Sequence, residues 1–164
     1  MSIVKRLLLV LFVLLSCVAC DQSTKMYAEA NLPKAQALSL LSDTVRLQVA
    51  HNEGAFLSLG ASAPQPWRVA IFRAGVAAML LALLAYTLLA KSSQGLFVFA
   101  LALILSGGSS NLIDRFVNEG YVVDFINLGA GSLRTGIFNV ADIAIVVGAF
   151  LLSVQSWRGR HSKA

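Results

Sequence analysis

Two aspartates, Asp124 and Asp142, are the residues of this chain best suited to chemistry. Asp142 stands in Phe138-Asn139-Val140-Ala141-Asp142, at the mouth of the last long apolar run, Ile143 to Val154. A membrane helix would begin there, and an ionisable group at that depth is costly enough that function is the default reading. Asp124 lies upstream in the strand-like Tyr121-Val122-Val123-Asp124-Phe125-Ile126, which leads to the same helix start. Two carboxyls brought together in a partly dry site cannot both ionise cheaply, so one keeps its proton while the other stays charged. The ionised member can take a proton from a water that attacks a peptide carbonyl. Its protonated partner can donate to the carbonyl oxygen and later help the amine to leave. Which aspartate begins as the base is open, because the titration belongs to the pair. No Gly-x-Ser-x-Gly or His-Glu-x-x-His occurs, and no histidine lies near the pair.

A plainer reading stands beside this one. Asn139 is a good helix N-cap, and Asp142, three residues on, falls in the first turn, where the helix dipole favours an anion. On that reading the two form a cap and nothing else.

The elements that must position these residues are membrane helices. Of the 164 residues 57% are hydrophobic and only 13% charged, roughly half the charged share of a soluble domain. The net charge of +5 does not mark a nucleic-acid binder, because the basic residues mostly flank apolar runs. Four spans are expected, at about residues 3–27, 69–90, 96–113 and 138–156, each adequate for a hydrocarbon core of about 30 Å. They make one integral-membrane domain over residues 1–164. Lys5, Arg6, Lys91, Arg158, Arg160 and Lys163 then fall on one side, which puts both termini in the cytoplasm and the two long excursions outside. Within the first excursion Val45, Leu47 and Val49 alternate with Thr44, Arg46 and Gln48, the period of a half-buried strand.

Further polar residues gather at the outer face. Asp21 and Lys25 share one helical face, which in the plain reading makes an interfacial ion pair worth little. His51-Asn52-Glu53-Gly54 suits a tight turn or a close approach of backbone to a ligand, with His51 read as a loop residue. Arg73, one turn into the second span, is expected to snorkel outward, the alternative being that it faces a polar cavity. Ser106 to Asn111 is too rich in small residues for a lipid-facing surface, so helices approach closely there or clear room for a bound chain. Asn111 and Arg115 share a face with Gly107 and Gly108. Asp114 and Arg115 read equally well as a local ion pair ending the helix or as a polar wall beside the glycines.

Cys17 and Cys20 have no histidine or further cysteine placed to complete a zinc site, and no metal is expected. Leu14-Leu15-Ser16-Cys17 has the form of a lipoprotein cleavage site, so a lipid-anchored mature chain beginning at Cys17 is one alternative. Another is a small multi-pass ion or proton-relay protein, which would carry charges near the midplanes of its spans.

In chain order, Asp21-Gln22-x-x-Lys25, Asn52-x-Gly54-Ala55, Gly107-Gly108 to Asn111-Leu112-Ile113-Asp114-Arg115, Val122-Val123-Asp124-Phe125 and Phe138-Asn139-x-Ala141-Asp142 together resemble the bacterial lipoprotein signal peptidases, the signal peptidase II family. The resemblance implies an aspartic endopeptidase of the bacterial inner membrane, with four transmembrane helices and a small extracytoplasmic β-cradle. Its substrates would be diacylglyceryl-modified prolipoproteins, cut just before the lipidated cysteine. It implies Asp124 and Asp142 as the catalytic pair, with Asn52, Gly54, Gly108, Asn111, Arg115 and Asn139 on the substrate, and Asp21, Lys25 and Asp114 in structural polar roles. No cofactor is implied, and the partners are membrane lipid and a globomycin-type cyclic-peptide inhibitor, with the chain a monomer. Two departures from the family pattern bear on pocket shape: Ser110 where glycine is usual, and Phe56-Leu57-Ser58 in the loop after Gly54.

Overall fold

The computed structural model of the protein describes residues 1–33, 36–54, 64–90 and 94–161. The Ala55 to Ser58 stretch, the turn at Lys91 and the residue Lys163 lie outside these. The chain runs α1 (Ile3–Asn31), β1 (Leu38–Leu40), β2 (Val45–Asn52), α2 (Gln65–Val69), a π-helical turn (Ala70–Gly75), α3 (Val76–Leu89), α4 (Gly95–Val117), β3 (Val122–Ala130), β4 (Leu133–Arg134) and α5 (Val140–His161). Four helical spans are long and apolar enough to cross a membrane, α2 to α3 forming one continuous span over Gln65–Leu89.

The helix ends differ from the sequence expectation for local reasons. α1 continues past Tyr27 to Asn31 because no breaker intervenes, and it stops where Leu32, the residue before Pro33, turns extended with ψ of 143°. The second span starts at Gln65 rather than Val69. Pro64 and Pro66 sit at its N-cap and first turn, where a missing N–H costs nothing.

α4 is the central helix, packed against α1, α3 and α5, and Val98, Ala102, Leu103 and Leu105 pack with Val10, Val13 and Leu80. The α4–α5 seam is a close backbone approach: a Cβ added to Gly107 would lie 2.3 Å from the Ala141 carbonyl oxygen. At the far end Arg6, expected only as a flanking charge, is 5% exposed and donates to the carbonyls of Thr87, Leu88 and Ala90. It satisfies the orphaned carbonyls that end α3.

The strands make one antiparallel sheet in the order β1-β2-β3-β4. Leu47 pairs with Ile126 and Ala50 with Asp124, so three steps along β2 match two along β3. This bulge bends the strand beside Asp124 and breaks the expected alternation: β2 is half-buried along nearly its whole length. At the hairpin tip Leu41, Ser42 and Asp43 are all left-handed. Asp43 accepts two bonds from Arg46 and one from Ser39, which hold its carboxyl well below the usual carboxylate range.

Candidate active site

The two aspartates meet because the segment entering α5 lies along β3. Phe138 and Ile126 exchange backbone bonds at 2.8 Å, and the Phe125 N–H also donates to the Phe138 carbonyl at 3.0 Å. This pairing sets Asn139 against Asp124 and starts α5 there. Asn139 is fully buried. Its Nδ2 donates to Asp124 Oδ1 at 2.7 Å, its Oδ1 accepts the Asp142 N–H at 2.9 Å, and its own N–H donates to Asp142 Oδ2 at 3.2 Å. The cap read from the sequence is therefore present, but the capping side chain also joins the two carboxyls.

All four carboxyl oxygens are held by donors. Asn52 Nδ2 donates to Asp124 Oδ2 at 3.0 Å, and Asn111 Nδ2 to Asp142 Oδ1 at 2.9 Å. Burial pushes the Asp124 carboxyl up to about 6; the neighbouring Asp142 also raises it, while the bonds from Asn52 and Asn139 pull it down. That value lies near neutral pH, where a carboxyl can take up and release a proton in turn.

Beneath the pair lies a buried ionic cluster. Lys25 Nζ lies 2.7 Å from Asp21 and 2.9 Å from Asp114, with the lysine and both acids at most 3% exposed. The weak interfacial pair expected for Asp21 and Lys25 is thus a buried three-residue cluster, and Lys25 also donates to Asn111 Oδ1 at 2.9 Å. Asp21 Oδ1 accepts the Ala141 N–H at 2.8 Å, and Asp114 Oδ2 accepts the Val123 N–H at 3.0 Å. Asp114 and Arg115 form no ion pair with each other among the described residues, and Asp114 joins the Lys25 cluster instead. Arg115 reaches across to the Gly54 carbonyl at 2.6 Å, and Gly54 N–H donates to Asn52 Oδ1 at 3.0 Å. In this way α4 ties down the end of β2 that carries Asn52.

Asn52, Gly54, Asn111, Arg115 and Asn139 are brought together with Asp124 and Asp142; Gly108 is directed elsewhere. A Cβ on Gly108 would meet the Leu80 side chain of α3 at 2.7 Å. His51 lies on β2 rather than in a loop, stacked on Tyr121 at 4.1 Å between ring centres. Sequence reasoning gave no role to Gln22, and treated Ser110 only as a departure from pattern. Gln22 Nε2 donates to Asp114 Oδ1 at 2.6 Å and to Ser110 Oγ at 3.0 Å, and Ser110 Oγ donates to Asp21 Oδ2 at 2.7 Å. Their polarity on otherwise apolar helix faces was the available signal. Among the described residues no three His, Cys, Asp or Glu side chains gather to hold a metal ion.

A 270 Å³ apolar groove runs from Asp142 along α5, lined by Thr135, Phe138, Ile143, Val146 and Val147.

Comparison with known proteins identifies the family. The family described as signal peptidase (SPase) II matches residues 13–158. The lipoprotein signal peptidase of Oleidesulfovibrio alaskensis is 32% identical over 141 residues, covering 86% of this chain and 89% of that protein. That of Rhodococcus jostii is 35% identical over 158 residues, covering 92% and 74%. That of Ralstonia nicotianae is 43% identical over 112 residues, covering 68% of this chain and 63% of the relative. In fold, the chain is similar to a bacterial membrane enzyme solved at 2.3 Å, with a TM-score of 0.80 and 23% identity over 98% of this chain and 92% of that one. The chain belongs to the signal peptidase II family, whose curated members it resembles as a multi-pass bacterial membrane protease that removes signal peptides from lipoproteins.

Proposed function

We propose that the chain is an aspartic endopeptidase that cuts diacylglyceryl-modified prolipoproteins immediately before the lipidated cysteine, with Asp124 and Asp142 as its catalytic pair. The observation that carries this reading is Asn139, whose one side chain bonds Asp124 and caps the backbone of Asp142. A water between the carboxyls would give its proton to the ionised one and attack the peptide carbonyl. The protonated one would donate to the carbonyl oxygen, then to the departing amine. Asn52, Asn111 and Arg115 would orient the peptide, and Gly54 would let its backbone approach. The apolar groove along α5 supports a lipidated substrate, since it would take acyl chains beside the reacting bond. The enzyme works as a monomer with membrane lipid around it, and a globomycin-type inhibitor would occupy the same site.

The orientation proposed is both termini in the cytoplasm of a bacterial inner membrane and the active site at the outer face. Lys5, Arg6 and Arg158 lie at the end of the bundle opposite the sheet, which the positive-inside rule assigns to the cytoplasm. An ion or proton relay would need carboxyls through the middle of the spans. The buried ones described, Asp21, Asp114 and Asp124, gather at the sheet end instead.

The test is cleavage of a purified diacylglyceryl-modified prolipoprotein by the wild type, Asp124→Asn and Asp142→Asn. Cutting before the cysteine by the wild type, with folded and inactive variants, is the expected result. A folded variant that cuts at the full rate would overturn the catalytic pair.

A further inference from the structure

Outside the dyad, the most unusual electrostatic feature is a 330 Å³ cavity between the start of the second span and the end of α4. Three guanidinium groups line it, Arg68, Arg73 and Arg115, against two carboxylates, Glu53 and Glu119. Arg68 pairs with Glu53, and Glu119 is exposed. Arg73 and Arg115 are left facing the same space. Each lies over a ring from the other's helix: Arg73 is 5.7 Å from the Phe116 ring centre and Arg115 is 5.6 Å from that of Phe72. Both cations line the one cavity.

The Nε of Arg73 and the Nε of Arg115 are both buried and have no hydrogen-bond partner among the described residues. Arg73 also has no ion pair among them, and it rises from the π-helical turn Ala70–Gly75, a distortion that often accompanies a functional site. Arg115 is already held through its terminal nitrogens by the Gly54 and Asn111 carbonyls, so the uncompensated cation is Arg73, whose buried, unfilled donor is unfavourable until an anion arrives. Arg73 therefore faces a polar cavity rather than snorkelling outward, contrary to the expectation from sequence. The guanidinium fork suits one anion above others, because its donors match the oxygens of a phosphate.

We propose that this cavity binds a phosphate group, held by Arg73 and Arg115, whose natural source is the headgroup of a bilayer phospholipid. The proposal goes beyond the peptidase reading, with which it shares Arg115, and it is tested by binding rather than cleavage, since the diacylglyceryl substrate carries no phosphate. A lipid held here would clamp the entry of the second span against the end of α4, where Arg115 holds the Gly54 carbonyl.

The experiment titrates the full chain, in an uncharged maltoside detergent, with dihexanoylphosphatidylglycerol, with uncharged dihexanoylglycerol and with inorganic phosphate. Saturable binding of the phosphate-bearing lipid, absent for dihexanoylglycerol and weakened about tenfold or more in Arg73→Gln, is expected for loss of a charge-assisted bond. Arg73→Lys keeps the charge and should fall between the two. Inorganic phosphate binding as tightly as the lipid would support the phosphate site and identify free phosphate as its source, whereas tighter lipid binding supports the headgroup. Unchanged affinity in a folded Arg73→Gln chain, or equal binding of the uncharged lipid, would overturn the proposal. Should Arg73→Gln not fold, phenylglyoxal labelling of the wild type decides: the phosphate-bearing lipid must protect Arg73, and labelling at an unchanged rate overturns the site.

Discussion

The carboxylate of Asp21 accepts the backbone N–H of Ala141 at 2.8 Å, although 120 positions separate them. Asp114 does the same for Val123. Each buried acid thus holds the amide immediately before one member of the proposed catalytic pair, and Lys25 joins the two acids. Asp21→Ala should therefore cost turnover without touching substrate. A displacement of about 1 Å at a reacting group can cost about 100-fold in rate, so kcat should fall by up to that factor while KM changes far less. Steady-state kinetics on the folded variant check the split; an equal rise in KM would point to general loosening instead.

Lys25 carries the only positive charge bonded to these two carboxylates among the described residues. Lys25→Met would leave both buried and uncompensated, which costs about 3–5 kcal/mol. Asp21→Asn leaves Lys25 and Asp114 paired and should cost less. Chemical unfolding in detergent ranks the two, and the reverse order would contradict the cluster.

Two adjacent glycines should behave differently. In Gly107→Ala the new methyl would sit 2.3 Å from the Ala141 carbonyl and 2.7 Å from the Ile145 side chain, so α5 must move. Overpacking of that kind costs about 1–3 kcal/mol, and because Ala141 precedes Asp142 it should also cut activity. In Gly108→Ala the new methyl meets only the tip of Leu80, which can change rotamer. Melting temperatures and cleavage rates of the two variants should separate clearly.

The raised carboxyl of Asp124 makes a statement about stability. Its folded pKa of about 6 lies above the usual carboxylate value of 3.8. Between those values the folded state holds a proton that the unfolded state has lost, so stability falls as pH rises through the window. The fall should amount to about 2–3 kcal/mol and should be missing in Asp124→Asn, which would be the more stable chain at pH 7. Unfolding measured from about pH 4 to 7 shows whether the slope belongs to Asp124.

The hydrophobic runs by themselves determined that this chain crosses a membrane four times, and the scarcity of charge within them made nearly every site residue conspicuous. Burying an ionisable group in such a setting is so costly that Asp124 and Asp142 could be singled out before any coordinates, while Asn139 stood out as a helix cap. Only the tertiary structure decided what each one touches. The Phe138–Ile126 pairing, the Asp21–Ala141 bond and the reach of Arg115 to Gly54 join residues distant in the chain, and side-chain type carries no record of such partners. Arg73 is the clearest case. An arginine one turn into an apolar span can point to water or to a cavity at similar local cost, and the neighbouring helix, through Phe116 and Arg115, directs it to the cavity.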